Sequence, residues 1–305
     1  PERRFTMNYF SEEYRCAAAA LRVDVIGGPK RTHVVEDATF MNYRLAAVTV
    51  HQELSKGKAD IIWNYERPTK QISYIANQLI LNGFWEEGEV NKILVSMLAM
   101  ELNHVGLYPF HSSAVVYRGK GVLLLGGENN HGKSMSQLEG CRRGGLMFST
   151  ETTVMDENYK AILGSKNVYI KKRSKGTERS DLPDQDEGVA KFFDKEPVYK
   201  TYDEPIDIDL VIMPSIDGHF ATQVVKMEQF EKAYQSHHSM MNFMGLNQLL
   251  SGEIGLAMPI IDSDAKRYLR STYCAEFTKI RPYYLIRAKT PQILFDEVDK
   301  ILDSM

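Results

Sequence analysis

Cysteine is scarce in this chain: Cys16, Cys141 and Cys274 are the three among 305 residues. So few and so widely spaced, they exclude a disulfide framework and a zinc site, and they read as small buried hydrophobes in a reducing compartment. Long apolar runs are lacking as well. The longest, Ile93 to Met100, is bounded by Lys92 and Glu101, far short of the ~20 residues of a membrane-spanning helix. The opening Pro1-Glu2-Arg3-Arg4 offers no apolar signal core. The expectation is a cytoplasmic protein with no membrane partner. An excess of basic charge is also missing: 37 Lys and Arg stand against 40 Asp and Glu, for a formal charge of -3 and a pI near 6.3. That balance argues against nucleic acid as a partner and leaves small molecules or proteins. What is present, 43% apolar and 25% charged residues, is enough to build a core in one large domain or two smaller ones.

The most informative segment is Gly127-Glu128-Asn129-Asn130-His131-Gly132-Lys133-Ser134, which spells G-x-x-x-x-G-K-S directly after the apolar run Val122 to Leu125. In such a phosphate loop (Walker A, or P-loop) the glycines let backbone N–H groups turn inward around phosphates, the lysine adds a point charge, and the serine hydroxyl sits on Mg²⁺. Gly127, Asn129, Asn130, His131, Gly132, Lys133, Ser134 and Met135 are therefore the expected nucleotide-binding residues, His131 mainly through its backbone. Glu128 is electrostatically awkward beside a triphosphate, so it faces solvent or joins the metal shell.

Along the chain, residues up to about 68 mix short alternating segments, His33 to Val50 and Ala59 to Tyr65, with turn signals at Gly27-Gly28-Pro29 and Ser55 to Lys58. They predict a small strand-rich portion. Gln71 to Asn82 and Val90 to His104 carry apolar residues at spacings of three and four, which predicts two amphipathic helices hinged at Asn82-Gly83. Ala114 to Tyr117 and Val122 to Leu125 are apolar strands separated only by Arg118-Gly119-Lys120-Gly121. A link this short makes an antiparallel hairpin, whereas a parallel crossover needs a dozen or more residues. After the loop, Lys133 to Arg143 predicts a short helix ended by Gly144-Gly145, and Leu146 to Phe148 a strand running into Thr150-Glu151.

In order, His111, a strand, a glycine turn, a second strand, the Gly127 to Ser134 loop, a short helix ending in Arg143-Gly144, and a strand ending in Thr150-Glu151 resemble the HPr kinase/phosphorylase family. Its P-loop kinase relatives share the phosphoenolpyruvate carboxykinase-like nucleotide-binding fold. The likeness covers about residues 90 to 170, and more weakly Ala161 to Lys171, Ile206 to Met213 and Arg281 to Ile286. It implies a kinase domain over 69–305, which together with the strand-rich portion over 1–68 and the hairpin ahead of the phosphate loop gives an α/β (α+β, mixed-sheet) fold. It also implies ATP and Mg²⁺ as cofactors, a serine hydroxyl of a protein or peptide or a small-molecule alcohol as acceptor, and a homo-oligomer.

The implied catalytic residues are His111, Lys133 and Glu151, with Ser134 and Glu151 on the metal. The loop differs from the family's small-residue version, and Thr150 replaces the first of two aspartates. With Thr150 unable to take a proton, the general base is Glu151, His111 or Glu128. Two function classes follow: an ATP-dependent kinase, and a nucleotide-binding regulatory or scaffold protein without turnover, which Thr150 favours. The cationic stretch Lys171 to Arg179 and the pair His237-His238 are read as a solvated loop and a helix packing surface, and Arg267 and Arg270 as exposed helix-face residues.

Overall fold

Alternating apolar residues pair the strands that lie between Tyr9 and Asn82. In the computed structural model, which describes residues 8–126, 131–170, 189–192, 199–216, 218, 221–244, 246, 250 and 255–305, the chain divides into two compact units. One comprises 1–41, 47–106 and 243–267; the other comprises 42–46, 107–242 and 268–305.

In the first unit β1 (Tyr9–Cys16) and β2 (Ala19–Ile26) form an eight-residue antiparallel ladder, and Ala19, Leu21, Val23 and Val25 of β2 all turn inward. With β3 (Thr49–His51), β4 (Ile61–Asn64), β5 (Gln71–Ile75) and β6 (Gln78–Asn82) they make a mixed six-stranded sheet in the order β3-β1-β2-β4-β6-β5. Helix α2 (Glu87–His104) packs on β2 with Ile93, Leu94, Leu98 and Leu102 buried.

Two expectations are corrected here. Gln71 to Asn82 is not a helix but the β5–β6 hairpin, turned through Ala76 and Asn77 at φ 50° and 62°. That pair is the two-residue turn whose twist matches a hairpin. Leu79 and Leu81 are buried at period two, and this alternation overrides the helical spacing. The strand-rich portion therefore carries on past residue 68 in the same sheet. His33 to Val50 is not a strand either. Asp37 accepts the amide of Thr39 at 2.8 Å and opens the short helix α1 (Thr39–Arg44), as Asp does ahead of a first turn.

The second unit is built on a nine-stranded mixed sheet. The hairpin of β7 (Tyr108–Tyr117) and β8 (Lys120–Leu125) forms as expected, through Arg118 and Gly119 at φ 53° and 76°. β8 then pairs in parallel with β15 (Leu210–Ile216), β15 in parallel with β17 (Tyr283–Ala288), and β17 with the edge strand β16 (Gln223–Lys226). On its other side β7 pairs first with β10 (Thr152–Met155) and then with β9 (Leu146–Ser149), and β11 (Lys160–Gly164) and β14 (Ile206–Asp207) finish that edge. β12 (Asn167–Ile170) and β13 (Val189–Phe192) form a separate ribbon.

Period two along β7 sorts its neighbours. Tyr108 stacks on Tyr273 of α5 (Asp264–Lys279) with centroids 3.8 Å apart, and Phe110 meets Phe277. Val115 and Tyr117 enter a core with Leu124, Ile212, Ile286 and Phe295. Here α3 (Lys133–Arg142) and α6 (Pro291–Asp303) pack together. His111 shares the parity of Val115 and Tyr117, so it faces the side where α3 begins. Helix α4 (Gln229–Met241) packs on β7 and β8. Arg270, expected on an exposed face, is fully buried, and the three cysteines are buried as expected, none of them in a disulfide. Among the described residues no helix is long and apolar enough to cross a membrane. The cationic stretch Lys171 to Arg179 lies outside them.

Candidate functional site

The helix α3 starts abruptly. Gly132 has φ 90°, and a Cβ there would come within 2.8 Å of the Ile216 side chain, so both backbone and space require glycine. The first internal bond of α3 runs from Ser136 N to Gly132 O at 2.8 Å. The amides of Lys133, Ser134 and Met135 thus precede the ladder, at the positive end of the helix. Gln137 donates to Ala114 O at 3.0 Å and to Ser149 O, which pins the first turns to β7 and β9. At the far end Arg143 bonds Glu139, Asp296 and Asp299 at 2.8–2.9 Å, tying α3 to α6.

These anchors fix Lys133, which is 9% exposed. Its Nζ donates to Glu151 Oε2 at 2.9 Å and lies 3.1 Å from His111 Nε2, while His111 Nδ1 is 3.4 Å from the same Oε2. His111, Lys133 and Glu151, separated by up to 40 positions in sequence, therefore meet at one point. Ser134 is half-buried in the same turn, Met135 likewise, and His131 is exposed, its carbonyl accepting the Ile216 amide at 3.2 Å. Gly127, Glu128, Asn129 and Asn130 lie outside the described residues.

The electrostatics follow from burial and proximity. Burial and the adjacent Lys133 ammonium push the His111 imidazole down to about 3, so it is neutral at physiological pH. Burial also lowers Lys133, against the pull of Glu151. Burial works to raise Glu151, but Lys133 and the hydrogen bonds it receives hold it well below the usual carboxylate range. An ion pair beside a neutral imidazole is the result. The charge of Arg44 stands close enough to press against both basic groups.

Thr150 does not face this cluster. It is 1% exposed, and its hydroxyl donates to Asn167 O at 2.6 Å and Ser165 O at 3.0 Å. Ser165 Oγ in turn accepts the amides of Glu151 and Thr152 at 3.0 and 2.9 Å. Ser165 therefore sets the turn that aims Glu151 inward. On the other flank Ser239 Oγ donates to His111 O at 2.9 Å.

Two contributors escaped the sequence reading altogether. Tyr43 donates its phenol proton to Glu151 Oε1 at 2.6 Å. Arg44 donates to Asn242 Oδ1 at 2.7 Å, and its carbonyl accepts the Thr152 hydroxyl. Nothing in the composition around Tyr43 marks it, since its partner is 108 positions away.

No family model matches the chain, and no curated protein matches it.

The donor set suits a hard cation. Glu151 carboxylate and Ser134 hydroxyl are oxygen donors of the type Mg²⁺ takes alongside phosphate, and each Glu151 oxygen has a lone pair beyond the one that Tyr43 or Lys133 occupies. No cluster of three or more acidic, His or Cys ligands exists among the described residues.

Proposed function

We propose that the chain is an ATP-dependent phosphotransferase acting on a hydroxyl acceptor, with a P-loop kinase core of the phosphoenolpyruvate carboxykinase-like type. The observation that carries this reading is the buried Lys133 ammonium at the first turn of α3, held by Glu151 beside the neutral His111. The antiparallel β7–β8 hairpin directly ahead of the loop supports the same core.

In this reading the phosphates of ATP take over Lys133 and the opening amides of α3, and Glu151 and Ser134 hold Mg²⁺. Bound Mg²⁺ offsets charge on the transferred group. His111 is positioned at the transferred phosphate. An arriving anion offsets the repulsion from Lys133, so the imidazole grows more basic as the site fills and accepts the proton of the attacking hydroxyl at a ring nitrogen. Thr150, bonded outward to two carbonyls, takes no part. The resemblance to HPr kinase/phosphorylase-like enzymes suggests a serine of a protein or peptide, or a small-molecule alcohol, as acceptor, and a homo-oligomer; the few, scattered cysteines suggest a cytoplasmic setting.

A second reading is a nucleotide-binding regulatory protein without turnover. It is favoured by Glu151 being the carboxylate at Lys133 while the neighbouring position, Thr150, is structural. Calorimetric titration of Mg²⁺-ATP into wild type and Lys133→Ala tests the grip, and equal affinity refutes both readings. Labelled ATP with a panel of alcohols and serine peptides separates them: binding without phosphate transfer leaves the second.

A further inference from the structure

Glu151 is held at two points. Lys133 Nζ sits on Oε2 at 2.9 Å and the Tyr43 hydroxyl on Oε1 at 2.6 Å. The first of these is lost when a phosphate draws the ammonium away, because Lys133 cannot satisfy both anions with the same geometry. The second is unaffected. Tyr43 stands on a fixed base: the Thr152 hydroxyl binds the Arg44 carbonyl, and Arg44 binds Asn242. The backbone of Glu151 is set independently by Ser165 Oγ and by Ser112 N, which donates to Glu151 O at 3.2 Å.

We propose that Tyr43 is a positioning residue for metal-coupled phosphate binding, holding Glu151 aimed into the site through Oε1 so that Oε2, once released by Lys133, meets the cation or its water. The proposal rests on the phosphate-loop reading of Lys133. It makes residues 42–46, which lie outside the segment that resembles a kinase, part of the working site. Removing the phenol leaves Glu151 free to follow Lys133 or swing toward solvent, so Mg²⁺ gains less from the carboxylate. Outer partners of metal ligands typically change metal affinity 10–100-fold.

The test is calorimetric titration of inorganic pyrophosphate, with and without Mg²⁺, into wild type, Tyr43→Phe, Glu151→Gln and the double variant. In wild type Mg²⁺ tightens binding. In Tyr43→Phe the metal-free affinity stays within about twofold of wild type while the Mg²⁺-dependent gain falls about tenfold. In the Glu151→Gln background Tyr43→Phe changes nothing further, because the group it positions is gone. A Tyr43→Phe protein that keeps the full Mg²⁺ gain overturns the proposal. So does equal loss with and without metal, which marks a general structural role. Absence of pyrophosphate binding in wild type is a separate outcome and refutes the phosphate-loop reading itself.

Discussion

Replacing Thr150 by aspartate puts back the residue type that the kinase resemblance expects there, and the structure predicts damage rather than restored chemistry. The position is 1% exposed, and the Thr150 hydroxyl is the donor to Asn167 O and Ser165 O at 2.6 and 3.0 Å. An ionised carboxylate has no proton to give, so it faces two carbonyl oxygens. The loss of a hydrogen bond costs about 1 kcal/mol, and an unpaired buried charge brings the total to about 4 kcal/mol. For a unit of this size that lowers the midpoint of thermal unfolding by on the order of 10 °C.

The pH dependence carries a sign. The buried aspartate has a folded pKa above its unfolded one, so the folded state binds the extra proton and the deficit shrinks as pH falls. Thr150→Asn, which can still donate, loses less. Both tryptophans, Trp63 and Trp85, belong to the other unit. Unfolding is therefore followed by far-ultraviolet circular dichroism rather than by fluorescence. A Thr150→Asp protein as stable as wild type at neutral pH, or one with more phosphate transfer than wild type, refutes the placement of Thr150.

Other outcomes follow from the same contacts. Glu13 is fully buried, and although burial works to raise it, bonds from the Lys56 and Ser55 amides, the Ser55 hydroxyl and Arg15 hold it down at about 2 against an ordinary 4.5. Its contribution, about 3 kcal/mol, is present above pH 4.5 and disappears as pH falls toward 2; urea unfolding read by tryptophan fluorescence shows this slope in wild type and a flatter one in Glu13→Gln. Ser165→Ala strips the acceptor from two buried amides and is expected to cost about 2 kcal/mol in denaturant unfolding; a cost under 0.5 kcal/mol counts against its role in the 150–152 turn. Gly132→Ala meets both an unfavourable φ and the Ile216 side chain, so the melting temperature drops, and with it, on the proposed reading, the affinity for nucleotide; Ile216→Ala in the same chain recovers only part because the backbone strain persists.

The hairpin at 108–125 was legible because its strands are apolar and its link too short for any other connection. Lys133 and Glu151 were expected together from the resemblance, and the structure brings the two side chains to 2.9 Å across one short helix and one short strand. Gln71 to Asn82 misled because Ile72, Ile75 and Leu79 satisfy a helical spacing while Leu79 and Leu81 satisfy a strand. The decisive signal there was a positive-φ pair, Ala76-Asn77, of which only the asparagine advertises a turn. Tyr43 was invisible because it acts on a residue 108 positions along the chain, and Ser165 because no local pattern encodes a side-chain hydrogen bond to the backbone of another strand's turn.

Neither unit is a continuous stretch of chain, and this matters for synthesis. Residues 42–46 leave the ribosome long before the strand turn that Tyr43 will bind, 108 positions later. Likewise 243–267 arrive after most of the second unit has been made, although they belong to the first. Domains generally fold as units during translation, N-terminal first, but here residues 42–46 must wait for a strand turn made later, and the first unit is complete only once 243–267 have been made. A fragment beginning at residue 107 lacks Tyr43 and Arg44 from the outset, so trimming to the part that resembles a kinase removes a wall of the site rather than isolating it.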